Sequence, residues 1–331
     1  MTTANGLVRW GVLSTAKIAR RAVIPGIQHS ELGSVVAVAS RAPGRAADLA
    51  DDLDGVRAYG SYEDLLAADD VDAVYIPLPN HLHAEWTVRA AEAGKHVLCE
   101  KPLTLDAEEA ERVIARCDAA GVLLQEAFMY RFHPQWQRVG QLVADGAIGD
   151  VTAIQAWFSY FNDDPANIRN IAAFGGGALM DIGCYPISVA RFVLGGEPDD
   201  IRATVRTDPE SGVDVTTSVI MRFGDTQATF TVATRTTPGQ WVHVVGTRGR
   251  ITVDIPFNAP VDRATQISVT TVDAATGAPT TSVERFGPVD QYTQQADAFA
   301  RAVLDGAAAP LPPSDALANM VAIDAVRAAW G

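Results

Sequence analysis

The stretch that decides the fold is Val8-Arg9-Trp10-Gly11-Val12-Leu13-Ser14-Thr15-Ala16-Lys17-Ile18-Ala19, where an apolar strand runs into a turn of small residues and then a helix. Dinucleotide-binding folds carry G-x-G-x-x-G here, because small residues permit a tight turn and a close approach to pyrophosphate. In register, the glycine positions are Ser14, Ala16 and Ala19, all small and none glycine. The location after a first strand predicts a cofactor-binding turn. Its members are Gly11, Ser14, Thr15, Ala16, Lys17 and Ile18.

The rest of the chain shows two different patterns of predicted secondary structure. From Leu7 to about Phe128, short β-branched runs alternate with helix-like segments, a pattern typical of a parallel sheet with crossover helices. Beyond it come long alternating runs joined by the turns Phe223-Gly224-Asp225-Thr226 and Gly246-Thr247-Arg248-Gly249, which indicate antiparallel hairpins. We therefore predict an α/β protein. An N-terminal Rossmann domain with a doubly wound parallel sheet spans residues 1–127, and an α+β domain with a large, mostly antiparallel sheet spans residues 128–331.

Composition limits the partners. The 331 residues are 48% hydrophobic, enough for two packed cores, and the net charge of −14 disfavours nucleic acid and anionic membranes. The first six residues lack the features of a secretory signal, and no apolar run reaches the roughly 18 residues of a membrane helix. Three distant cysteines predict neither a disulfide framework nor a zinc site. We expect a cytoplasmic enzyme or binding protein with a small-molecule partner.

The second strand indicates which nicotinamide cofactor binds. NAD enzymes usually end this strand with an acid that accepts hydrogen bonds from the ribose 2′-hydroxyl. Here it ends Val38-Ala39-Ser40-Arg41, and Arg41 offers a forked guanidinium suited to a 2′-phosphate. Ser40 offers a hydroxyl, and Arg45 follows closely, although Arg45 would serve equally well as a solvated helix residue. The pattern favours NADP(H) over NAD(H).

Lysine is rare in this chain. Of 26 basic residues only Lys17, Lys95 and Lys101 are lysines. Lys101 stands in Cys99-Glu100-Lys101-Pro102 at the end of a strand-like run, where a doubly wound sheet places ligand-binding groups. An amine can give up its proton near neutral pH, as a guanidinium cannot. Lys101 is therefore a candidate acid or base, with a solvated loop residue as the alternative.

A neighbouring loop, Tyr75-Ile76-Pro77-Leu78-Pro79-Asn80-His81-Leu82-His83, follows another predicted strand. Because this loop also stands at the carboxyl end of a strand, Pro77, Leu78, Asn80 and His83 are candidates for cofactor binding. Asn80 has an alternative role as the cap of the helix that follows. His81 and His83 lack a third ligand close in sequence, so no metal site is predicted.

A third segment, Gly175–Pro186, lies in the second half. Asp181 and Tyr185 are four residues apart and share a face if the segment is helical, and the triple glycine predicts that this face approaches a ligand closely. Asp181 is expected to bind a substrate hydroxyl or Lys101, with helix capping as the alternative. Nearby aromatic and hydrogen-bonding residues suit a pyranose, although Trp157 could equally be a core residue of the sheet. The predicted substrate-binding set is Lys101, Arg131, Trp157, Phe158, Arg169, Asp181 and Tyr185.

Four motifs together resemble the Gfo/Idh/MocA family of oxidoreductases. They are Arg9–Ala16, Glu100-Lys101-Pro102, Glu126–Pro134 and Gly175–Pro186. The similarity is greatest to the branch of glucose–fructose oxidoreductase, NADP-dependent D-xylose dehydrogenase and dimeric dihydrodiol dehydrogenase, and it covers essentially the whole chain. The missing glycines at Ser14, Ala16 and Ala19 depart from the usual family pattern.

The resemblance implies hydride transfer between a nicotinamide and a carbon that bears a hydroxyl or carbonyl, often on a sugar. Lys101 matches the catalytic lysine, and Tyr185 matches a second catalytic position that either moves the proton or orients the substrate. Glu100 is expected to contact the nicotinamide ribose. An aldose 1-dehydrogenase or keto-sugar reductase is favoured, with trans-dihydrodiol dehydrogenase and a silent NADP(H)-binding sensor as alternatives. The family also implies a homodimer or a dimer of dimers.

Overall fold

A computed structural model of the chain describes residues 6–330, so the ends of the predicted domains, residues 1–5 and 331, lie outside the description. The chain forms two compact units. The first contains the chain up to Met129 together with Asp290–Met320, and the second contains Tyr130–Val289 together with the chain from Val321. The first crossing falls two residues after the predicted boundary. The return of Asp290–Met320 to the first unit differs from the prediction that residues 128–331 form one domain.

The sheet of the first unit has six parallel strands in the order β3-β2-β1-β4-β5-β6. Their bounds are β1 Val8–Leu13, β2 Gly33–Ala39, β3 Arg57–Tyr59, β4 Ala73–Ile76, β5 His96–Cys99 and β6 Leu124–Glu126. The order reverses between β1 and β4, the switch point at which doubly wound sheets bind ligands. The predicted Rossmann fold is therefore confirmed. Only the short β3 was not foreseen.

Helices cover this sheet. They are α1 Ile24–Gln28, α2 Pro43–Asp51, α3 Tyr62–Leu66, α4 His83–Glu92 and α5 Ala107–Ala120. A π-helical turn, Ala19–Val23, precedes α1, so the helix expected after the turn of small residues is not one regular α-helix. Gly121 ends α5 with φ +66°, the left-handed conformation that glycine adopts without strain.

A late helix completes the first unit, which explains why the chain returns to it. In α8, Gln291–Asp305, Phe299 is fully buried, and its ring centroid lies 5.3 Å from that of the buried Trp10 in β1. Burying two aromatic side chains of this size removes a large apolar area from water. The last helix, α9 Pro313–Ala328, belongs to the first unit up to Met320 and to the second from Val321.

The second unit is built on an eight-stranded sheet in the order β14-β13-β12-β11-β7-β10-β9-β8. Only β7 and β10 pair in parallel, so the predicted mostly antiparallel sheet is confirmed. The bounds are β7 Val151–Phe161, β8 Asp200–Thr207, β9 Asp214–Phe223, β10 Thr226–Ala233, β11 Arg235–Gly246, β12 Gly249–Val253, β13 Thr265–Val272 and β14 Pro279–Phe286. Both predicted hairpin turns lie where expected, between β9 and β10 and between β11 and β12.

Two helices belong wholly to this unit, α6 Pro134–Ala144 and α7 Cys184–Leu194. A π-helical turn, Leu179–Gly183, leads into α7. Among residues 6–330, one stretch, Ala172–Leu194, is long and apolar enough to span a membrane by length and composition. Because 78% of its apolar window is buried inside the protein, it has the character of a core helix.

Candidate active site

The turn after β1 keeps a serine in a conformation that favours glycine. Ser14 has φ +147°, a region occupied almost only by glycine, and its Oγ accepts a hydrogen bond of 3.0 Å from the amide of Ala16. Thr15 is partly exposed and Lys17 is exposed. The strained backbone therefore lies at the first position of the predicted cofactor-binding turn.

Gly11, which we predicted in the cofactor-binding set, lies earlier, inside β1. It pairs with Ala37 of β2 and Val74 of β4, and a Cβ at this position would meet the Leu65 side chain at 2.6 Å. Its missing side chain makes room for α3. The structure therefore gives Gly11 a role in packing β1 against α3.

The end of β2 presents two cations. Ser40 is buried, its amide donates to the Tyr59 carbonyl, and its Oγ accepts from the Ala42 amide. Arg41 and Arg45 are exposed. Burial raises the pKa of the Tyr62 hydroxyl, and the adjacent Arg41 guanidinium opposes this shift. No acid stands between Val38 and Ala47, so the donors at this strand end fit a phosphate better than a ribose hydroxyl.

The segment that carries Lys101 is fixed by buried neighbours. The amide of Glu100 donates to the carbonyl of Ile76, and the Tyr75 hydroxyl donates to Glu100 Oε1 at 2.6 Å. Two residues beyond Lys101, the amide of Leu103 donates to Glu126 Oε1 at 2.8 Å. The Lys101–Pro102 peptide bond is cis. Both ends of the segment are therefore held at the carboxyl ends of β4, β5 and β6.

His83 joins this segment to the loop after β4. The imidazole is fully buried, with Nδ1 2.8 Å from the Pro102 carbonyl oxygen and Nε2 2.8 Å from that of Leu78. Burial lowers the pKa of His83 to about 4, so the ring is neutral near pH 7. Because both nitrogens face backbone carbonyls, His83 connects two loops.

The rest of that loop is compact. Pro77 and Leu78 are buried, and Asn80 opens the short 3-10 turn Asn80–Leu82. The residue before α4 is Leu82, without a side-chain cap. The structure therefore places Asn80 at the start of a 3-10 turn that runs directly into α4.

In the second unit, Asp181 is the centre of a polar cluster. Its Oδ2 accepts hydrogen bonds from the Tyr160 hydroxyl at 2.5 Å and from Arg169 Nε at 2.9 Å. The Asp181 carboxylate raises the pKa of the Arg169 guanidinium, and burial together with Asp181 raises the pKa of the Tyr160 hydroxyl. The Arg169 side chain is 46% exposed, against 12% for Asp181. Asp181 lies inside the π turn rather than at its cap, so the capping alternative is wrong.

Tyr185, one helical step from Asp181, lies among aromatic rings. It is 5% exposed, and its ring centroid lies 5.1 Å from that of Phe257, 5.7 Å from that of Phe158 and 5.9 Å from that of Tyr130. Rings packed on several sides restrict the orientation of the phenol. The second unit therefore combines a closely packed tyrosine with an aspartate that accepts hydrogen bonds from Tyr160 and Arg169, and with an exposed guanidinium.

Trp157 and Phe158 face opposite sides of β7, as successive strand residues must. Phe158 packs on Tyr185, whereas Trp157 pairs with Trp241 and lines a groove of about 450 Å³ on the other face. Trp157 and Phe158 therefore cannot both contact one substrate on a single face of the sheet. The guanidinium carbon of Arg131 lies 4.1 Å from the ring centroid of Phe192, a cation–π contact.

Gly176 and Gly177, two of the three glycines, serve close backbone packing. A Cβ on Gly176 would lie 2.5 Å from the carbonyl oxygen of Arg169, and one on Gly177, where φ is +116°, would collide with Asp214 Oδ1. The backbone of Arg169 therefore lies close to the turn that carries Asp181. These contacts correct the prediction that the glycines permit the approach of a ligand.

Comparison with known proteins agrees with this architecture. Residues 8–128 match the oxidoreductase family with an NAD-binding Rossmann fold, and residues 136–252 match the Gfo/Idh/MocA C-terminal domain. The chain belongs to the Gfo/Idh/MocA oxidoreductase family. It is 42% identical over 320 residues to D-xylose 1-dehydrogenase (NADP(+)) 2 of Haloferax volcanii, covering 96% of this chain and 95% of that protein. An uncharacterized oxidoreductase of Rhizobium meliloti is 44% identical over 322 residues, covering 97% and 96% respectively.

A solved structure extends this similarity. It is a 3-ketoreductase from Actinomadura kijaniata in complex with NADP and TDP-benzene, with a TM-score of 0.90, 34% identity and 98% of both chains covered. The family resemblance stated from the four motifs is thereby confirmed. The chain is accordingly an oxidoreductase that combines a Rossmann unit with a Gfo/Idh/MocA C-terminal domain.

Several residues of this Gfo/Idh/MocA protein escaped the sequence prediction. Tyr160 could have been found, because strand alternation places it on the same face as Phe158. Phe257 and Asp214 lie far from Asp181 in sequence and meet its surroundings only through the fold. Within residues 6–330, no three His, Cys, Asp or Glu side chains are grouped as metal ligands would need to be.

Proposed function

We propose that this protein is an NADP(H)-dependent oxidoreductase that acts on a hydroxyl or carbonyl carbon of a sugar or polyol. The observation that carries the proposal is the fixed placement of Lys101 at the carboxyl end of β5 in a Rossmann sheet. In the oxidative direction the substrate C–H bond breaks as a hydride leaves and the O–H bond breaks as a proton leaves, so the carbon becomes a carbonyl. Bound NADP⁺ would accept the hydride.

The chain's own residues handle the proton and the substrate. We assign the proton to the Lys101 amine, since only a lysine among the cations can release and recover one. Tyr185 is assigned to hydrogen-bond the reacting oxygen, because its packed ring fixes the direction of the hydroxyl. Asp181 and Arg169 offer an acceptor and donors for further substrate hydroxyls.

The cofactor preference is assigned to the end of β2. Arg41 and Arg45 would hold the 2′-phosphate, and the turn after Ser14 would meet the pyrophosphate. Support comes from the exposure of both guanidinium groups and from the NADP named for two relatives.

The Arg41→Ala variant tests this preference. We expect NADPH to bind about 10- to 100-fold more weakly, the effect of losing a charge-assisted contact to phosphate, while NADH binding changes by less than about 3-fold. Dissociation constants from nicotinamide fluorescence would measure both. Arg112→Ala, on the exposed pair with Glu108, is the matched control and should alter neither. An equal loss for both cofactors would contradict the assignment.

The substrate is proposed to be a neutral sugar or polyol. Aromatic rings around Tyr185, next to the Asp181 cluster, provide the mixture of apolar surface and hydrogen-bonding groups that a pyranose needs. A panel of aldoses, 1,5-anhydro sugars, keto-sugars and trans-dihydrodiols, followed by nicotinamide absorbance, is the test. Turnover of trans-dihydrodiols alone would favour that alternative, and NADPH binding without turnover of any member would indicate a sensor.

We also propose a homodimer formed through the open face of the second sheet. α7 covers the face that carries Phe158, and the opposite face presents Trp157, Trp241 and a half-exposed Ile220. Ile220→Glu is expected to shift sedimentation from dimer to monomer, because it buries an unpaired charge at the contact. Val261→Glu, an exposed apolar position outside the sheet, is the control. A wild-type monomer would contradict the proposal.

A cytoplasmic location is proposed from cysteine chemistry. Cys99, Cys117 and Cys184 are buried free thiols. Burial raises the pKa of Cys117 to about 12 and that of Cys99 well above its usual value. Protonated, buried thiols suit a reducing compartment and need no disulfide partner.

A further inference from the structure

Asp214, the first residue of β9, is a buried acid with no role in the chemistry described above. It is 5% exposed, and its Oδ2 accepts the amide of Leu179 at 2.8 Å and the Thr217 hydroxyl at 2.6 Å. Leu179 opens the π turn that contains Asp181 and leads into Tyr185. A carboxylate from a distant strand therefore holds the start of the segment that carries both residues.

The start of that segment needs such a partner. The first amides of a helix have no acceptor within it, and Ala178, at the cap position, supplies no side-chain bond. Asp214 provides an acceptor at the amino end of the continuous helical run from Leu179 through α7. The contact thus fixes where the helix begins.

Gly177 makes this contact sterically feasible. Its φ of +116° suits glycine, and the space that a Cβ would fill is occupied by Asp214 Oδ1. The amide of Gly177 donates to the carbonyl of Arg169 at 2.9 Å. The carbonyl of Gly177 accepts from the amide of Asp181 at 3.0 Å. One turn therefore connects Asp214, the Arg169 backbone and Asp181.

We propose that Asp214 is a positioning residue for the reaction, acting through the Gly177–Leu179 turn to fix Asp181 and Tyr185. The inference rests on the proposed function of those two side chains. A displacement of about 1 Å in reacting groups costs about 100-fold in rate, so the anchor is expected to control kcat. NADP(H) affinity should be unaffected, because the cofactor residues assigned above belong to the other unit.

Asp214→Ala is the first test. We expect kcat to fall roughly 10- to 100-fold, with the dissociation constant of NADPH within about 2-fold of wild type. In Asp214→Asn the amide oxygen can still accept both hydrogen bonds, so most of the loss should be recovered. The matched control is Asp208→Ala. Asp208 likewise accepts an amide and a hydroxyl, both from Ser211 in the turn after β8, and kcat should stay within about 2-fold.

A second pair of variants guards against misfolding. Thr217→Val replaces the hydroxyl by a methyl group and so removes one of the two bonds, and Thr217→Ser retains it. We expect Thr217→Val to lower kcat several-fold at unchanged NADPH affinity and Thr217→Ser to stay near wild type, following the usual effect of one lost hydrogen bond. Unchanged kcat in a folded Asp214→Ala, or equal kcat in the two Thr217 variants, would overturn the inference.

The two proposals fail in different ways. If the wild-type protein binds NADPH but turns over no member of the panel, the proposed function fails. If the wild type is active and the Asp214 and Thr217 variants have the kcat of the wild type, the proposed function stands and the positioning role is wrong.

Discussion

Lys101→Met is expected to lower kcat/KM by about 10²- to 10⁴-fold, the range that a positioned acid or base contributes. Methionine keeps the length of the side chain and removes the amine. The anchors of the segment, Tyr75 on Glu100 and Glu126 on Leu103, do not use the Lys101 side chain, so the variant should fold and bind NADPH. Steady-state kinetics and NADPH titration would separate the two effects. Turnover near the wild-type rate would eliminate Lys101 from the chemistry.

Two further variants show why the lysine is needed. Lys101→Arg keeps a positive charge but cannot release a proton, so it should be nearly as inactive as Lys101→Met. Lys95→Met is the matched control, one residue before β5, where the amine donates to the carbonyls of Ala68 and Val71. Leaving these carbonyls unpaired should cost about 1–3 kcal/mol of stability while kcat is retained. Full activity in Lys101→Arg would show that charge alone suffices.

The Rossmann sheet could be predicted because its strands are apolar runs punctuated by helices, a local signal. β3 gave no such signal, since Arg57–Tyr59 has only three residues, and two of them are exposed. β13 and β14 were likewise missed. In β14, whose burial pattern is almost entirely exposed, no apolar face marks the strand. Pairing with a neighbour, rather than its own pattern, makes β14 a strand.

The candidate site divides in the same way. Lys101 could be predicted because the end of a strand is recognisable in the sequence. Asp181 and Tyr185 could be predicted because their spacing of four residues is that of one helix face. Asp214 is 33 residues beyond Asp181, and only the register of the second sheet brings it to Leu179. The glycines were assigned to the wrong partner for the same reason. The glycines in the sequence indicate that another group can come close to this backbone. Only the fold shows that the neighbouring groups are Asp214 and Arg169.

The return of the chain to the first unit is a third limit. α8 was predicted as a helix, yet nothing in its local pattern states which core it joins. Phe299 packs on Trp10, and Ser30 and Asp297 are hydrogen-bonded across 267 residues. Such contacts carry a large loop-closure entropy and are decided by the fit of whole surfaces.

Tyr185→Phe is expected to lower kcat about 10²- to 10³-fold, the effect of removing one donor from a reacting oxygen. The ring contacts with Phe257 and Phe158 remain, so stability should change little. If Lys101 moves the proton, the loss is equal at every pH and the profile of kcat keeps its shape. Tyr130→Phe removes a hydroxyl bonded to Ser188 in the same cluster and should leave that shape unaltered. If the pH-dependent limb of the kcat profile disappears in Tyr185→Phe, Tyr185 rather than Lys101 is the group that transfers the proton. Lys101 would then assist Tyr185 through its positive charge.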